Sequence, residues 1–366
     1  MKDFFSEVQK GYTFDDVLLV PSFSDIESRS NVDLSTKFLG SIDCEGPIIP
    51  ANMSTITEES MASAMGGLGY PVALHRFLSP KEVVRKYKLG MERFGIGYCP
   101  KDKLGLSIGV NKDWYDALFH ELREEYITSL SFIVVDIAHG HHSLVGKTIS
   151  DIKKYKNEFG FKILAGNVCT SEGAAYLIDL GVDGIKVGIG GGSTCKTRTV
   201  TSCGYPQLSA IKQISKIVKK IRPEITIVAD GGIRNSGDIV KSLAAGADFV
   251  MTGSIFSGAD ETPGETKIID GRYKKKYSGM ASDDAMAIFF GKSRKTAEGE
   301  TVFVDLKGKV QDVLENVIGG VKSGFSYCGC DNIKELQEYG SMTSSWVVVS
   351  PATQIENMPH AMLKGK

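Results

Sequence analysis

A closed (β/α)₈ barrel is the fold that this 366-residue sequence predicts, and three observations predict it. Eight short apolar runs recur from Pro47 onward, each of strand length, rich in β-branched residues and mostly bounded by Gly, Asn or Asp. Segments with apolar residues at three- and four-residue spacing lie between many of them. The runs are continuously apolar rather than alternating, as strands buried on both faces of a parallel sheet are. Eight repeats is the number that closes a barrel, expected over residues 47–260. A doubly wound open sheet is the alternative, weakened because ANMSTIT and no G-x-G-x-x-G follows the first run.

In chain order, residues 1–46 carry GYTFDDVLLVPS and a polar stretch without repeated pattern. The strand candidates are PIIPANM (47–53), PVALH (71–75), LSIGV (106–110), FIVVDI (132–137), KILAGN (162–167), GIKVGI (184–189), TIVAD (226–230) and ADFVM (247–251). Ser79-Pro80-Lys81-Glu82 is a capping box with proline at the first helical position, opening PKEVVRKYKLGMERFG. SLVGKTISDIKKYKNEFG, EGAAYLIDLG and LSAIKQISKIVKKIRPE read as helices, and NSGDIVKSLAAG is a helix capped by Asn235 and ended by Gly246. Beyond about residue 260 the rhythm breaks. GETKIIDGRYKKKYSGMAS is a hairpin through the type I′ signal Asp270-Gly271, with Arg272–Lys276 an exposed basic strand. GKSRKTAEGETVFVDLKGK reads as a polar loop fit to be a lid over the barrel mouth, VQDVLENVIGGVKSGFSYCG as an amphipathic helix, and the tail from Gln354 as loose.

Composition narrows the class of function. Forty-three Lys and Arg balance 44 Asp and Glu, so no global field favours nucleic acid or a membrane surface. No apolar run is long enough to span a bilayer, and MKDFFSEVQKGY lacks a signal-peptide core. Seven scattered cysteines read as reduced thiols of a cytoplasmic protein. Cys328-Gly-Cys330 has no second pair to complete a metal site, and His139, His141 and His142 have no carboxylate or thiol beside them.

The strand ends of such a barrel form one mouth, where its active sites lie. Asn52, His75, Asp136, Asn167, the loop 190–197, Asp230-Gly231-Gly232 and Gly253-Ser254 fall there. DGGI and TGS follow the seventh and eighth strands, the usual phosphate cradle, and Ser193 adds a hydroxyl from the central loop. That loop, KVGIGGGSTCKTR, delivers Cys195 between hydroxyls and two cations, Lys196 and Arg198, an environment that favours the nucleophilic thiolate. Glu298 and Glu300 lie in the lid segment.

FDDVLLVPS, PIIPANM, DIAHG, ILAGNV, KVGIGGGSTCKTR, GYPQLSAI, ADGGIRNSGDIVKSLAAGAD, YSGMAS and EGETVFVDLKGKV together resemble the family of IMP dehydrogenase and GMP reductase, nearly end to end. The resemblance implies a single catalytic domain over residues 1–366, with lid and C-terminal elements over about 261–350. The regulatory domain that dehydrogenases usually insert after the second helix is not expected, since about thirty residues separate His75 from Leu106. The dehydrogenase lid carries an Arg-Tyr pair that activates water, whereas ASDDAMAIFFGKSRKTA has none and TAEGETV is similar to the reductase pattern. The reductive branch is therefore expected: NADPH-dependent deamination of GMP to IMP and ammonia through a Cys195 adduct, a step of purine salvage. The alternatives are an IMP dehydrogenase without its regulatory domain, and a nucleotide-binding regulator without turnover.

Carried over position by position, the resemblance assigns Cys195, Thr197 and Glu298 to catalysis, the last two as proton source for departing ammonia. It assigns Ser193, Asp230, Gly231, Gly232, Gly253, Ser254, Gly279, Met280, Ala281, Lys295 and Gly299 to the nucleotide. Arg76, Asp136, Ile137, Ala138, Gly188, Ile189, Gly190, Ser323 and Tyr327 match cofactor contacts, and Ser28 with Arg29 would reach a neighbouring subunit's cofactor. Carbonyls of Gly190, Gly192 and Cys195, with Arg198 near them, match a monovalent-cation site, potassium in the family. A homotetramer is implied. The family's Gly-Pro-Gly is Gly190-Gly191-Gly192 here, Lys196 replaces a small or apolar residue, and Ala297 stands where a serine is often found.

Overall fold

A computed structural model describes residues 8–92, 99–291 and 296–356. Its centre is a ring of eight parallel strands: β1 (Ile48–Pro50), β2 (Val72–Leu74), β3 (Leu104–Ile108), β4 (Phe132–Asp136), β5 (Lys162–Val168), β6 (Gly184–Val187), β7 (Thr226–Asp230) and β8 (Phe249–Thr252). Ladders run continuously from β2 through β8 to β1, and the ring closes where β1 lies beside β2. This is the predicted (β/α)₈ barrel, and all eight apolar runs are its strands. Flanking helices are α1 (Glu59–Gly67), α2 (Pro80–Met91), α3 (Lys112–Glu124), α4 (Ser143–Phe159), α5 (Ser171–Asp179), α6 (Gln207–Ile221), α7 (Ser236–Ala244) and α8 (Val310–Cys328). Ser79 Oγ caps α2 by accepting Glu82 N–H, and Asn235 Oδ1 caps α7 by accepting Asp238 N–H. α1 and α3 were not read from the sequence.

Strand side chains alternate between two cores. Ile48, Val72, Ile133, Val135, Ile163, Ile185 and Ile227 pack outward against the helices. Ile49, Ala73, Phe132, Val134, Leu164, Val228 and Phe249 point inward, where they meet Phe38, Leu39, Ile42 and Cys44. These last four belong to an antiparallel hairpin, Thr36–Phe38 with Ile42–Cys44, that stoppers the barrel at the end opposite the mouth. Phe38 is fully buried, edge-on to Phe132 (5.1 Å) and Phe249 (5.0 Å). Gly184 makes room for this stopper, since a Cβ there would sit 2.5 Å from Leu39 Cδ2.

Between β8 and α8 the chain inserts a three-stranded antiparallel sheet, Thr266–Ile269, Arg272–Ser278 and Thr301–Asp305. Asp270 (φ 53°) and Gly271 (φ 73°) form the predicted turn. Two expectations are corrected here. Part of the polar loop, 301–305, is a strand, because Val302 and Val304 alternate against the hairpin. The basic strand is not wholly exposed: Lys275 is buried, donating to the carbonyls of Ala259 and Asp260. Val17–Leu19 pairs with Trp346–Val348 and so ties the two ends of the described chain.

Candidate active site

A cavity of about 530 Å³ opens at the strand ends, lined by residues from every part of the barrel and by Gly279, Met280, Ala281, Met286, Glu298 and Gly299. Its rim is the loop after β6. Glycine supplies the sharp backbone there: Gly188 (φ 140°) and Gly190 (φ 75°) lie where side-chain residues are strained, and a Cβ on Gly188 would strike Asp230 O at 2.1 Å. Cys195 is exposed on this loop. Its thiol donates to Thr197 Oγ1 at 3.1 Å, and Thr197 Oγ1 donates to Glu298 Oε2 at 2.9 Å. A thiol, a hydroxyl and a carboxylate thus form one chain, although Glu298 is 101 residues from Thr197.

Backbone pairing holds that chain together. Cys195 forms a bridge with Gly299, Lys196 N–H donates to Glu298 O (2.7 Å), and Glu300 N–H donates to Thr194 O (2.8 Å). Lys196 Nζ also pairs with Glu300 at 2.5 Å on the outer surface. The expectation that Lys196 and Arg198 flank the thiol is corrected by this geometry. Lys196 is turned to Glu300, and the Arg198 guanidinium donates back to the carbonyls of Ile189 and Tyr205.

The residues that the sequence reading grouped as a phosphate cradle lie around one cavity. Ser193, Gly231, Gly232, Gly253 and Ser254 line the cavity, joined by Tyr277 from the inserted sheet. Ser193 Oγ lies 3.2 Å from Tyr277 OH, and a Cβ on Gly253 would meet that hydroxyl at 2.8 Å. Gly231 (φ 99°) and Gly232 (φ 78°) turn backbone toward the same space. Ser254 Oγ donates to Ile233 O.

Polar groups form the floor. A register shift in β5 between Gly166 and Val168 aims Asn167 inward, where its Nδ2 donates to Gly188 O (2.8 Å) and Asp230 Oδ2 (2.9 Å). Lys186 Nζ, nearly fully buried, donates to Asp136 Oδ1 (2.7 Å) and Asp230 Oδ2 (3.1 Å). Burial alone would push the Asp136 carboxyl up, but the Lys186 ammonium and the Arg76 guanidinium outweigh it and hold it below the ordinary range. Burial likewise opposes charge on Lys186, and Asp136 and Asp230 more than restore it.

The chain belongs to the IMP dehydrogenase / GMP reductase family. A family profile described as "IMP dehydrogenase / GMP reductase domain" matches residues 11–360. Among curated relatives, the inosine-5'-monophosphate dehydrogenase of Nitrosopumilus maritimus (strain SCM1) is 32% identical over 484 aligned positions, covering 98% of this chain and 99% of that protein. The corresponding protein of Cryptosporidium parvum is 33% identical over 403 positions, covering 97% and 98%. Among solved structures, a cysteine-to-alanine variant of a Trypanosoma brucei GMP reductase in complex with guanosine 5'-monophosphate superposes with a TM-score of 0.85 at 25% identity, covering 98% and 99% of the two chains. The protein is therefore an oxidoreductase of a family that uses a nicotinamide cofactor.

Within that family's mouth, Arg76, Asp136, Ile137, Ala138, Gly188, Ile189, Gly190, Gly279, Met280, Ala281 and Gly299 all line the one cavity. Other expected residues are elsewhere. Arg29 and Ser323 line a second pocket between the turn 29–31 and α8, with Ser28 beside it at the start of that turn. Tyr327 is 64% exposed and lines neither pocket. Lys295 lies outside the described residues. His75, expected at the mouth, is corrected to a buried support: its Nδ1 accepts from Phe77 N–H and its Nε2 faces Glu58 Oε1 at 3.1 Å. Among the described residues, no group of three or more His, Cys, Asp or Glu side chains is placed to hold a metal ion.

Among the lining residues that sequence reading missed are Lys186, Tyr277, Asn111 and Trp114. A lysine inside a continuously apolar strand was the available signal for the first. Asn111 and Trp114 open the unread helix α3, with Asn111 Oδ1 capping it.

Proposed function

We propose that the protein is a GMP reductase, converting GMP to IMP and ammonia with NADPH as reductant. The observation that carries this reading is the hydrogen-bonded chain Cys195–Thr197–Glu298. Cys195 sulfur bonds to C2 of the purine as its proton passes through Thr197 Oγ1 to the Glu298 carboxylate. The same relay run backward returns a proton to the exocyclic nitrogen, so that neutral ammonia rather than an amide anion breaks from C2. NADPH, when bound, supplies the hydride that takes the place of sulfur at C2 and frees the thiolate. Addition followed by displacement splits one difficult substitution into two easier ones.

Ser193, Tyr277, Gly232, Gly253 and Ser254 would bind the nucleotide phosphate, and Asp230 the sugar hydroxyls. Met280, Ala281 and Gly299 close over the base. The cofactor would lie along Arg76, Asp136, Ile137, Ala138 and the Gly188–Gly190 strip; Arg76 Nε is buried without a hydrogen-bond partner and faces this space. Ser28 and Arg29 would serve a neighbouring subunit's cofactor in a tetramer, and Ser323 and Tyr327 are assigned to the cofactor on the resemblance alone. Carbonyls of Gly190, Gly192 and Cys195 are neutral oxygen donors of the kind that replace the hydration shell of potassium. Lys295 is kept as a nucleotide contact on sequence alone.

The names of the curated relatives favour the dehydrogenase reaction instead. Against that reading, no Arg-Tyr pair stands between Met280 and Glu298 to activate water. Chain length does not decide between the two reactions: the alignment with the Nitrosopumilus maritimus dehydrogenase runs over 484 positions, but that with the Cryptosporidium parvum dehydrogenase over only 403, against 366 residues here. Cys195→Ala is expected to abolish turnover while keeping GMP binding, read by calorimetry and NADPH absorbance. Substantial residual turnover would refute the covalent route.

A further inference from the structure

Lysine is rarely fully buried, and its ammonium brings three N–H donors that must be satisfied. Lys186, 2% exposed, satisfies them inside the barrel: Asp136 at the end of β4, Asp230 at the end of β7, and Asn52 Oδ1 after β1 at 3.5 Å. Met251 Sδ from β8 lies 3.8 Å away, and Gly166 of β5 leaves space, since a Cβ there would strike Lys186 Cβ at 2.6 Å. Asn52 is itself tied to Ser107 of β3 (2.8 Å). Arg76, after β2, faces the other oxygen of Asp136 at 3.8 Å. One ammonium therefore joins the carboxylate on the nucleotide side of the cavity to the carboxylate on the cofactor side.

We propose that Lys186 is a positioning residue that couples the two halves of the site, holding Asp230 toward the nucleotide sugar and Asp136 toward the cofactor. The inference rests on the reading of those two carboxylates given above. Asp230 Oδ2 is taken by Lys186 and Asn167 together, which leaves Oδ1 as the oxygen presented to a ligand. Without the ammonium, two carboxylates drawn to one point would repel in a buried site, and one would hold a proton. A carboxyl that holds a proton no longer accepts freely from a sugar hydroxyl, so the variant's affinity falls relative to native as pH falls.

The test measures GMP binding by calorimetry, without cofactor, from about pH 6 to pH 9 in the native protein and in Lys186→Met. Relative to the native protein at the same pH, which cancels the titration of the ligand's own phosphate at about pH 6, the variant is expected to bind GMP at least about tenfold more weakly at the acidic end and to approach native affinity toward alkaline pH. The KM for NADPH should rise with it, and kcat should change less. A Lys186→Met affinity equal to the native one at every pH would overturn the proposal. Should that variant fail to fold, Asp136→Asn keeps the cation and carries the test. It should change GMP affinity at least about threefold although Asp136 lies on the cofactor side, and an unchanged value would overturn the coupling. A native protein that does not bind GMP counts against the substrate reading, whereas native binding with an unmoved variant counts against the coupling alone.

Discussion

Three side chains carry the chemistry proposed here, and two of them, Glu298 and Cys195, can be checked separately. Glu298, at the end of the Cys195–Thr197 chain, is the proposed proton reservoir. Glu298→Gln should slow ammonia release by roughly 10²–10⁴-fold, the usual weight of general acid catalysis, and slow hydride exchange on bound IMP far less. Equal losses in both partial reactions would remove it as proton source. Thiol labelling offers a second check. Cys195 and Cys203 are exposed, whereas burial pushes the Cys44 and Cys99 thiols up to about 12. Iodoacetamide should therefore modify Cys195 and Cys203 in the folded protein, with GMP shielding only Cys195; labelling of Cys44 at a comparable rate would contradict the packing. Cys195 was legible from its glycine-rich loop, because the motif is contiguous. Lys186 was not, because its partners lie 50 and 44 residues away and only folding brings them to one nitrogen.

Among the elements, the barrel strands were legible because burial on both faces writes a continuous apolar run. The stopper hairpin was not: strands of three residues are too short to show a period, and Phe38 reads as one aromatic in a polar stretch. Its contribution is nevertheless large. Phe38→Ala should cost about 3–5 kcal/mol by opening a cavity between Phe132 and Phe249, read as a lower urea midpoint. A loss under about 1 kcal/mol would mean that the stopper is not packed as described. The lid was legible from its polarity and its Glu298, but its pairing with the cysteine loop was not. Its link to the cysteine loop is made of backbone hydrogen bonds, to which side-chain identity contributes little. The exposed Lys196–Glu300 pair adds at most about 1 kcal/mol to that link.

At the scale of the whole molecule, the mouth is where the strands are tied by charge rather than by apolar packing. Asp136 is held below its ordinary value of 3.8, so its stabilising contribution is present above that pH and is lost as pH falls through the lower folded value. The stability difference between native protein and Asp136→Asn should accordingly be constant from pH 7 down to about pH 5 and shrink below pH 4, by urea titration. A difference that shrinks already at neutral pH would contradict the ionised pair. The family follows from the whole chain, since the profile spans residues 11–360, but the reaction turns on the lid segment and its absent Arg-Tyr pair. The most direct measurement follows nicotinamide absorbance with GMP plus NADPH and, separately, with IMP plus NAD. NADPH oxidation with one ammonia released per turnover is expected in the first mixture; NAD reduction with IMP, and silence with GMP, would contradict the reductase reading.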